Sequence, residues 1–430
     1  MSLIDQSAEP RTDRRNRHVE QLVDRFVDRR SGASSAYDSV VIAGNGIGAQ
    51  VFAAQLVHHP RFAGNVTIVA PELVESRRLI NGVSLRGLAA DVIGEALGVS
   101  HERLLRDVAG PGPLPVANRQ TASMAYQKDD GWHFTRRGAW QGGKRGGPRP
   151  VVYGVRNSRL IGGIREILDK DAIGFRAEKV ESAEHLRSLA TGNNPLLVNA
   201  TTNPRLLNAE TEKPAKKVLA VQVPFIAPPA GPLAPTEPGT AFAPLIRRDG
   251  AIDVGYFTPF RDPLSPRSSW YGIFARVVDA DSGFDSDQEF GVMIDELYGV
   301  GAAMGFVPDD PDETLARALV PAAPWSTIAP SRPGMLDLKR MYSGGAPCFY
   351  ADGMVSSAIG GIIGAEAVVH GQDPDRAIRR ALRVVRRHNF LWWIETTQIA
   401  PLADFLMRIN VRTAMAYPHS VGINLWRSAA

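Results

Sequence analysis

The residues best placed to do chemistry are the glycines of Gly44-Asn45-Gly46-Ile47-Gly48-Ala49, a G-x-G-x-x-G/A turn. Such a turn is a phosphate cradle when a strand precedes it and a helix follows. Both flanks are present. Ser39 to Ala43 is a short β-branched run suited to a buried parallel strand. Gln50 to His58 reads as a helix, and Val66 to Val69 as a second strand. Gly44 serves the tight turn, Gly46 keeps a side chain away from a pyrophosphate, and Ala49 allows close packing of helix on strand. Ile47 and Gly48 belong to the same turn, and the N-terminus of the helix that follows, with free N–H groups and a positive dipole end, favours an anion. An acid for the adenosine ribose is expected at the end of the second strand. Ala70 holds that place, and Glu72, two residues on, is the candidate substitute.

A second element lies near the other end of the chain. Pro347 to Ala351 reads as a strand ending in Asp352-Gly353. A loop over Met354 to Ala358 is then expected, with Gly360-Gly361-Ile362 opening a helix. A strand-end carboxylate beside a helix N-terminus suits a polyol joined to a polarisable ring. Asp352 accepts from hydroxyls, and the dipole at Gly360, Gly361 and Ile362 stabilises negative charge on the ring. Together the two elements specify FAD.

The rest of the chain must position these groups. Its 430 residues suffice for two lobes, and 44% apolar with 22% charged residues is ordinary for a globular protein. A net charge of +4 gives little reason to expect a nucleic-acid partner. Phe390-Leu391-Trp392-Trp393-Ile394 is too short to span a bilayer. With no secretory apolar region, the expected location is the cytoplasm. A lone Cys348 excludes an intrachain disulfide and a cysteine-based metal cluster, and no metal site is expected. His58-His59 point apart on a helix and read as a surface pair.

The fold class expected is α/β. A Rossmann-like parallel-sheet FAD domain is assembled from residues 37–115, 151–210 and 335–388. Residues 116–150, a hairpin insert, and 211–334, rich in proline and short alternating strands, form an antiparallel-sheet substrate lobe. A helix carrying arginines is expected from about Pro374 to His388. Residues 1–36 are an N-terminal helical extension, with Val19, Leu22, Val23, Phe26 and Val27 on one face. That extension reads as an arm packed on the body with its basic face in water, or as a partner-binding arm. Residues 389–430 form an apolar helical segment. It is suited to a lid, a wall for an apolar substrate, or weak membrane contact.

The order and spacing of these stretches resemble the FAD-dependent monooxygenases of the p-hydroxybenzoate hydroxylase type, an architecture shared with geranylgeranyl reductases and flavin halogenases. The likeness rests on Gly44 to Ala49, on Gly82-Val83-Ser84-Leu85 and Val155-Arg156-Asn157-Ser158-Arg159-Leu160 with their helices, and on Tyr350-Ala351-Asp352-Gly353. It implies cofactor-contacting arginines, here Arg78 and Arg156 or Arg159. It implies substrate laid against the sheet at Tyr256 and Phe257. The family's Asp-Gly segment should fall near Leu197 to Thr202, where Thr201 and Thr202 stand instead, so the use of NADPH or NADH as electron donor stays open. The halogenase Trp-x-Trp-x-Ile-Pro signature does not occur. The resemblance implies a FAD-dependent oxidoreductase, foremost a monooxygenase acting on a medium-to-large apolar small molecule. The alternatives are a flavin-containing non-redox cyclase or ligand-binding flavoprotein, and a reductase of the geranylgeranyl-reductase kind. No side chain in the sequence is marked as catalytic.

Overall fold

The computed structural model describes residues 20, 23–30, 32–72, 82–109, 116–117, 119–134, 138–141, 152–168, 170–201, 203, 206, 216–226, 240–248, 251–260, 270–279, 283, 285–309, 316–322, 331–338 and 353–393. Five parallel strands form the first sheet. They are β1 (Ser39–Ala43), β2 (Asn65–Ala70), β9 (Ile173–Ala177), β10 (Pro195–Asn199) and β17 (Met335–Asp337), in the order β17-β10-β1-β2-β9. Val41 sits between Leu197 and Thr67 in register, and the whole of β1 is buried. A strand covered on both faces needs a continuous apolar run, which SVVIA supplies.

Helix α1 (Ile47–Val57) packs on this sheet and is in turn covered by α7 (Gly353–Val369). Both helices are buried nearly all round, which explains their lack of a polar face. Small residues set the spacing. A Cβ on Gly361 would lie 2.7 Å from the Gly48 carbonyl oxygen and 3.0 Å from the Phe52 nitrogen. Burial of Phe52 between the helices and the sheet contributes roughly 1.5–3 kcal/mol. Helices α2 (Gly87–Ala96), α3 (His101–Ala109) and α4 (Asn157–Ile167) complete this layer, and the short α5 (Ala183–Ser188) packs near β1 and β10.

The second sheet has nine strands: β5 (Arg119–Lys128), β6 (Gly131–Phe134), β7 (Gly138–Gln141), β11 (Lys216–Ile226), β12 (Thr240–Arg248), β13 (Ala251–Pro259), β14 (Trp270–Asp279), β15 (Val307–Pro308) and β16 (Ala316–Ala322). Its main path runs β15-β11-β14-β13-β12-β5-β6. The strands β5, β6 and β7 of the expected hairpin insert therefore belong to this sheet. One junction departs from the antiparallel expectation, since β12 and β5 pair in parallel. Helix α6 (Ser286–Ala303) covers one face, its N-terminus capped by Asp285 accepting from the Asp287 and Gln288 N–H groups. Phe225, Phe257, Phe274, Phe306 and Leu297 form the core between helix and sheet.

A three-stranded antiparallel sheet joins the two: β3 (Gly82–Arg86), β8 (Val152–Arg156) and β4 (Val116–Ala117). Gly154 of β8 lies so close to the Pro259 carbonyl that any side chain there would overlap it.

The described residues of the basic arm, 20, 23–30 and 32–36, are clamped to the body. Val23, Phe26 and Val27 are buried in the core around α1 and α7. Arg29 Nε donates to Glu366 at 3.0 Å, and the Asp28 N–H donates to the Gln372 side chain. Helix α8 (Pro374–Trp393) starts as expected but runs five residues beyond His388, and its Arg380 donates to the Arg25 carbonyl. Among the described residues no helix is long and apolar enough to cross a membrane.

Candidate functional site

Strand β1 delivers the chain to Gly44, which adopts φ +100° and donates its N–H to the Val69 carbonyl at 2.8 Å. A Cβ there would lie 2.8 Å from the Ala200 oxygen, so the turn requires glycine for space and for conformation. Gly46 is different. Its φ of −64° suits any residue, and a Cβ on it would meet nothing within 4 Å. The space kept clear over Gly46 adjoins the N-terminus of α1, where no side chain caps the helix. The first-turn N–H groups of a helix have no acceptor within it, and such a terminus favours an anion.

Gln50 fixes the turn from behind. Fully buried, it donates through Nε2 to the Asn45 carbonyl (2.7 Å) and to the Ile161 carbonyl of α4 (3.1 Å). Ala49 is also fully buried. Arg156 ends β8 in extended conformation, immediately before α4, with its side chain buried. Arg159 is exposed. Glu72 stands exposed two residues beyond β2.

Helix α7 corrects the second expectation. It opens at Gly353, so Met354 to Ala358 are helical and no loop. Gly360, Gly361 and Ile362 are buried in its second and third turns, against α1, and cannot offer a helix N-terminus. Their glycine content answers to helix-on-helix spacing. The first turn of α1 meets the second turn of α7, because a Cβ on Gly48 would lie 3.0 Å from the Ser357 carbonyl oxygen. With Gly361 and Gly364 against Phe52, the two helices run side by side in the same direction. Arg78, Asp352 and the strand expected before it, Thr202 and Cys348 lie outside the described residues.

A polar group that the sequence reading missed borders Gly44. Asn199, fully buried at the end of β10, accepts from the N–H and the hydroxyl of Thr201, both at 3.0 Å, and donates to Asp337 Oδ1 at 3.3 Å. The Asp337 N–H donates to Ser331 Oγ, which bonds Asp375 at the start of α8. Asp337 is a strand-end acid of the kind sought at Asp352. Its three-residue strand is too short for a hydrophobic pattern to reveal. Thr201 fills the position where Asp was expected and knits the end of β10 together.

On the nine-stranded sheet the two expected substrate contacts point to opposite faces. Phe257 is fully buried against Phe225 and Phe306 in the core beneath α6, so it cannot touch a ligand on the other face. Tyr256 is half-buried on the opposite face. The α6 side also holds Arg276, which bonds Asp253 (2.8 Å), Glu296 (2.9 Å) and Glu289 (2.5 Å). Burial works against its charge, and the three carboxylates more than offset this, raising its pKa above the ordinary guanidinium value.

A separate cluster joins His59, Glu366 and His370, whose ligand atoms lie within 4.8 Å of one another. His59 is therefore no simple surface residue. Arg61 donates to both rings at Nδ1, from its backbone N–H to His59 and from Nη1 to His370. That leaves each Nε2 as the protonated nitrogen, and Glu366 also receives Arg29. Metal-bound imidazoles donate from their second nitrogen, so this arrangement suits a hydrogen-bonded latch for the arm and opposes a metal.

No protein-family model and no curated protein sequence matches the chain. Solved structures do. FqzB superposes with a TM-score of 0.52 at 13% identity, covering 92% of this chain and 97% of that one. Halogenase PltM gives 0.53 at 12%, covering 83% and 76%. A variant of PltM in complex with FAD gives 0.52 at 12%, with the same coverage. The chain thus has the α/β fold of FqzB and halogenase PltM.

Proposed function

We propose that the protein is a FAD-dependent oxidoreductase of the monooxygenase type, acting in the cytoplasm on a medium-to-large apolar small molecule. The observation that carries this reading is the clear space over Gly46 at the uncapped N-terminus of α1, entered through the turn at Gly44. Residues Gly44 to Ala49 fit a pyrophosphate, and Gln50 holds their turn in shape. Glu72 stands ready for the ribose, and Arg156 and the first turn of α7 lie on the path toward the ring. Arg78 and Asp352 are proposed as further contacts. Bound FAD supplies a hydride acceptor and, once reduced, reactivity toward dioxygen. The protein positions the substrate on the sheet face that carries Tyr256 and keeps water from it. The FAD complex of a PltM variant on the same fold supports the choice of cofactor.

The electron donor follows from experiment. Purified protein should be yellow, and anaerobic NADPH or NADH should bleach it faster with substrate present. Failure of both nucleotides to bleach a yellow protein that still forms product would move the assignment to a non-redox flavoprotein. Gly46→Val tests the cofactor site directly. The new side chain enters open space at an ordinary φ, so the protein should fold with stability within about 0.5 kcal/mol of wild type. FAD affinity should drop on the order of a hundredfold or more. A yellow Gly46→Val protein would remove the site.

A further inference from the structure

The face of the nine-stranded sheet turned away from α6 carries a buried hydroxyl with nothing to bond. Thr258 is fully buried, and its Oγ1 has no hydrogen-bond partner. Its orientation follows from strand alternation. Phe257 points into the core under α6, so Thr258, Tyr256 and Phe260 point to the other side. Across the ladder Thr258 faces Tyr271, which is buried and meets Phe260 edge-on at 4.9 Å. Ile273 and Gln222 lie in register on the same face. All these neighbours are uncharged.

The position of Thr258 in the fold matters as much as its burial. Pro259, the next residue, abuts Gly154 of β8, and two residues later β8 ends at Arg156, before α4. Gln50 ties α4 to the glycine turn. Thr258 therefore sits where the nine-stranded sheet closes on the elements that hold the proposed cofactor.

Buried hydroxyls in folded proteins are nearly always paired, and an orphan calls for a function. We propose that Thr258 is the polar anchor of the substrate site. It recognises one uncharged oxygen, a hydroxyl or carbonyl, on an otherwise apolar ring-bearing ligand laid between the sheet and the flavin. A carboxylate or ammonium finds no counter-ion among Tyr256, Phe260, Tyr271, Ile273 and Gln222. This rests on the function proposed above and names the specificity-determining residue of the same site.

The test uses FAD-loaded full-length protein, with binding followed by calorimetry. The probes are naphthol and its methyl isostere methylnaphthalene. Wild type should prefer naphthol by about three- to tenfold, the worth of one neutral hydrogen bond. Thr258→Val should erase that preference, and Thr258→Ser should restore it. Without ligand, Thr258→Val should melt at or above the wild-type temperature, because a methyl replaces an unbonded hydroxyl. Equal affinity of wild type for the two probes, including binding of neither, overturns the proposal. So does a Thr258→Val protein that keeps the preference, or one that melts lower without ligand. Flavin absorbance, read separately, reports whether the cofactor assignment has failed instead.

Discussion

The two large sheets solve the same packing problem in opposite ways. Around the five-stranded sheet, α1 and α7 meet through glycines and alanines, with backbone against backbone at Gly48, Ser357 and Gly361. Around the nine-stranded sheet, aromatic rings fill a deep space under α6, and one glycine, Gly272, makes room for Phe225, Leu297 and Phe257. In the proposed function the first half brings main-chain N–H groups to a pyrophosphate, which demands small residues. The second half is proposed to shape a surface for the substrate, which demands bulk behind it. The first should therefore fail when volume is added, and the second when volume is removed.

The largest effects belong to the aromatic half. Phe257→Ala should cost about 3–5 kcal/mol in denaturant unfolding. A cost under about 1 kcal/mol would contradict its place in the core. Arg276→Ala should cost a similar ~3–5 kcal/mol, since it strands three carboxylates. If Arg276→Leu, which keeps side-chain bulk but no charge, proves nearly harmless, the loss lies in packing and not in uncompensated charge.

Added volume is the probe for the other half. Gly361→Val should lose about 1–3 kcal/mol as α7 is pushed off α1. It should lose the proposed FAD binding as well, because the added side chain displaces Gly48 at the start of α1. Retained flavin content with lowered stability would uncouple helix packing from the site.

The smallest effect is electrostatic and lies outside both sheets. Asp38 accepts from the Asn193 and Asn194 N–H groups, chiefly Asn193, which lowers its pKa despite a smaller opposing effect of burial. A carboxyl with a depressed folded pKa stabilises above its unfolded value, roughly 3.9. That contribution disappears as pH falls through the lower folded value. Asp38→Asn should thus flatten the acid limb of a melting-temperature profile. An unchanged limb would show that the loop draws nothing from this carboxylate.

The same contrast explains what was legible in the sequence. The strand, turn and helix around Gly44 to Ala49 were legible because they are contiguous in the chain. The α/β class and the order of segments followed from the same alternation. Gly360 and Gly361 misled because a helix needing close approach and a helix needing a free N-terminus both call for glycine. Only the position of Gly353 separates the two. Phe257 misled because adjacent residues on a strand look alike in sequence yet face opposite ways. Asn199, Asp337 and Thr258 were not visible, since their meaning comes from partners, or the lack of one, set by distant segments. The parallel pairing of β5 with β12 is equally non-local.

The clamp between the arm and α7 carries a consequence for how the protein is made. Arg29 waits for Glu366, 337 residues later, and β1 waits for β10 on one side. A ribosome releases the glycine turn early, but its walls arrive late. Until Asn199 emerges, β1 has an open edge, and until α7 emerges, α1 shows an apolar side to water. The parallel-sheet half therefore stays incomplete until α7 is synthesised, with apolar surface open to aggregation meanwhile. The arm leaves the exit tunnel before α7 and locks only after it.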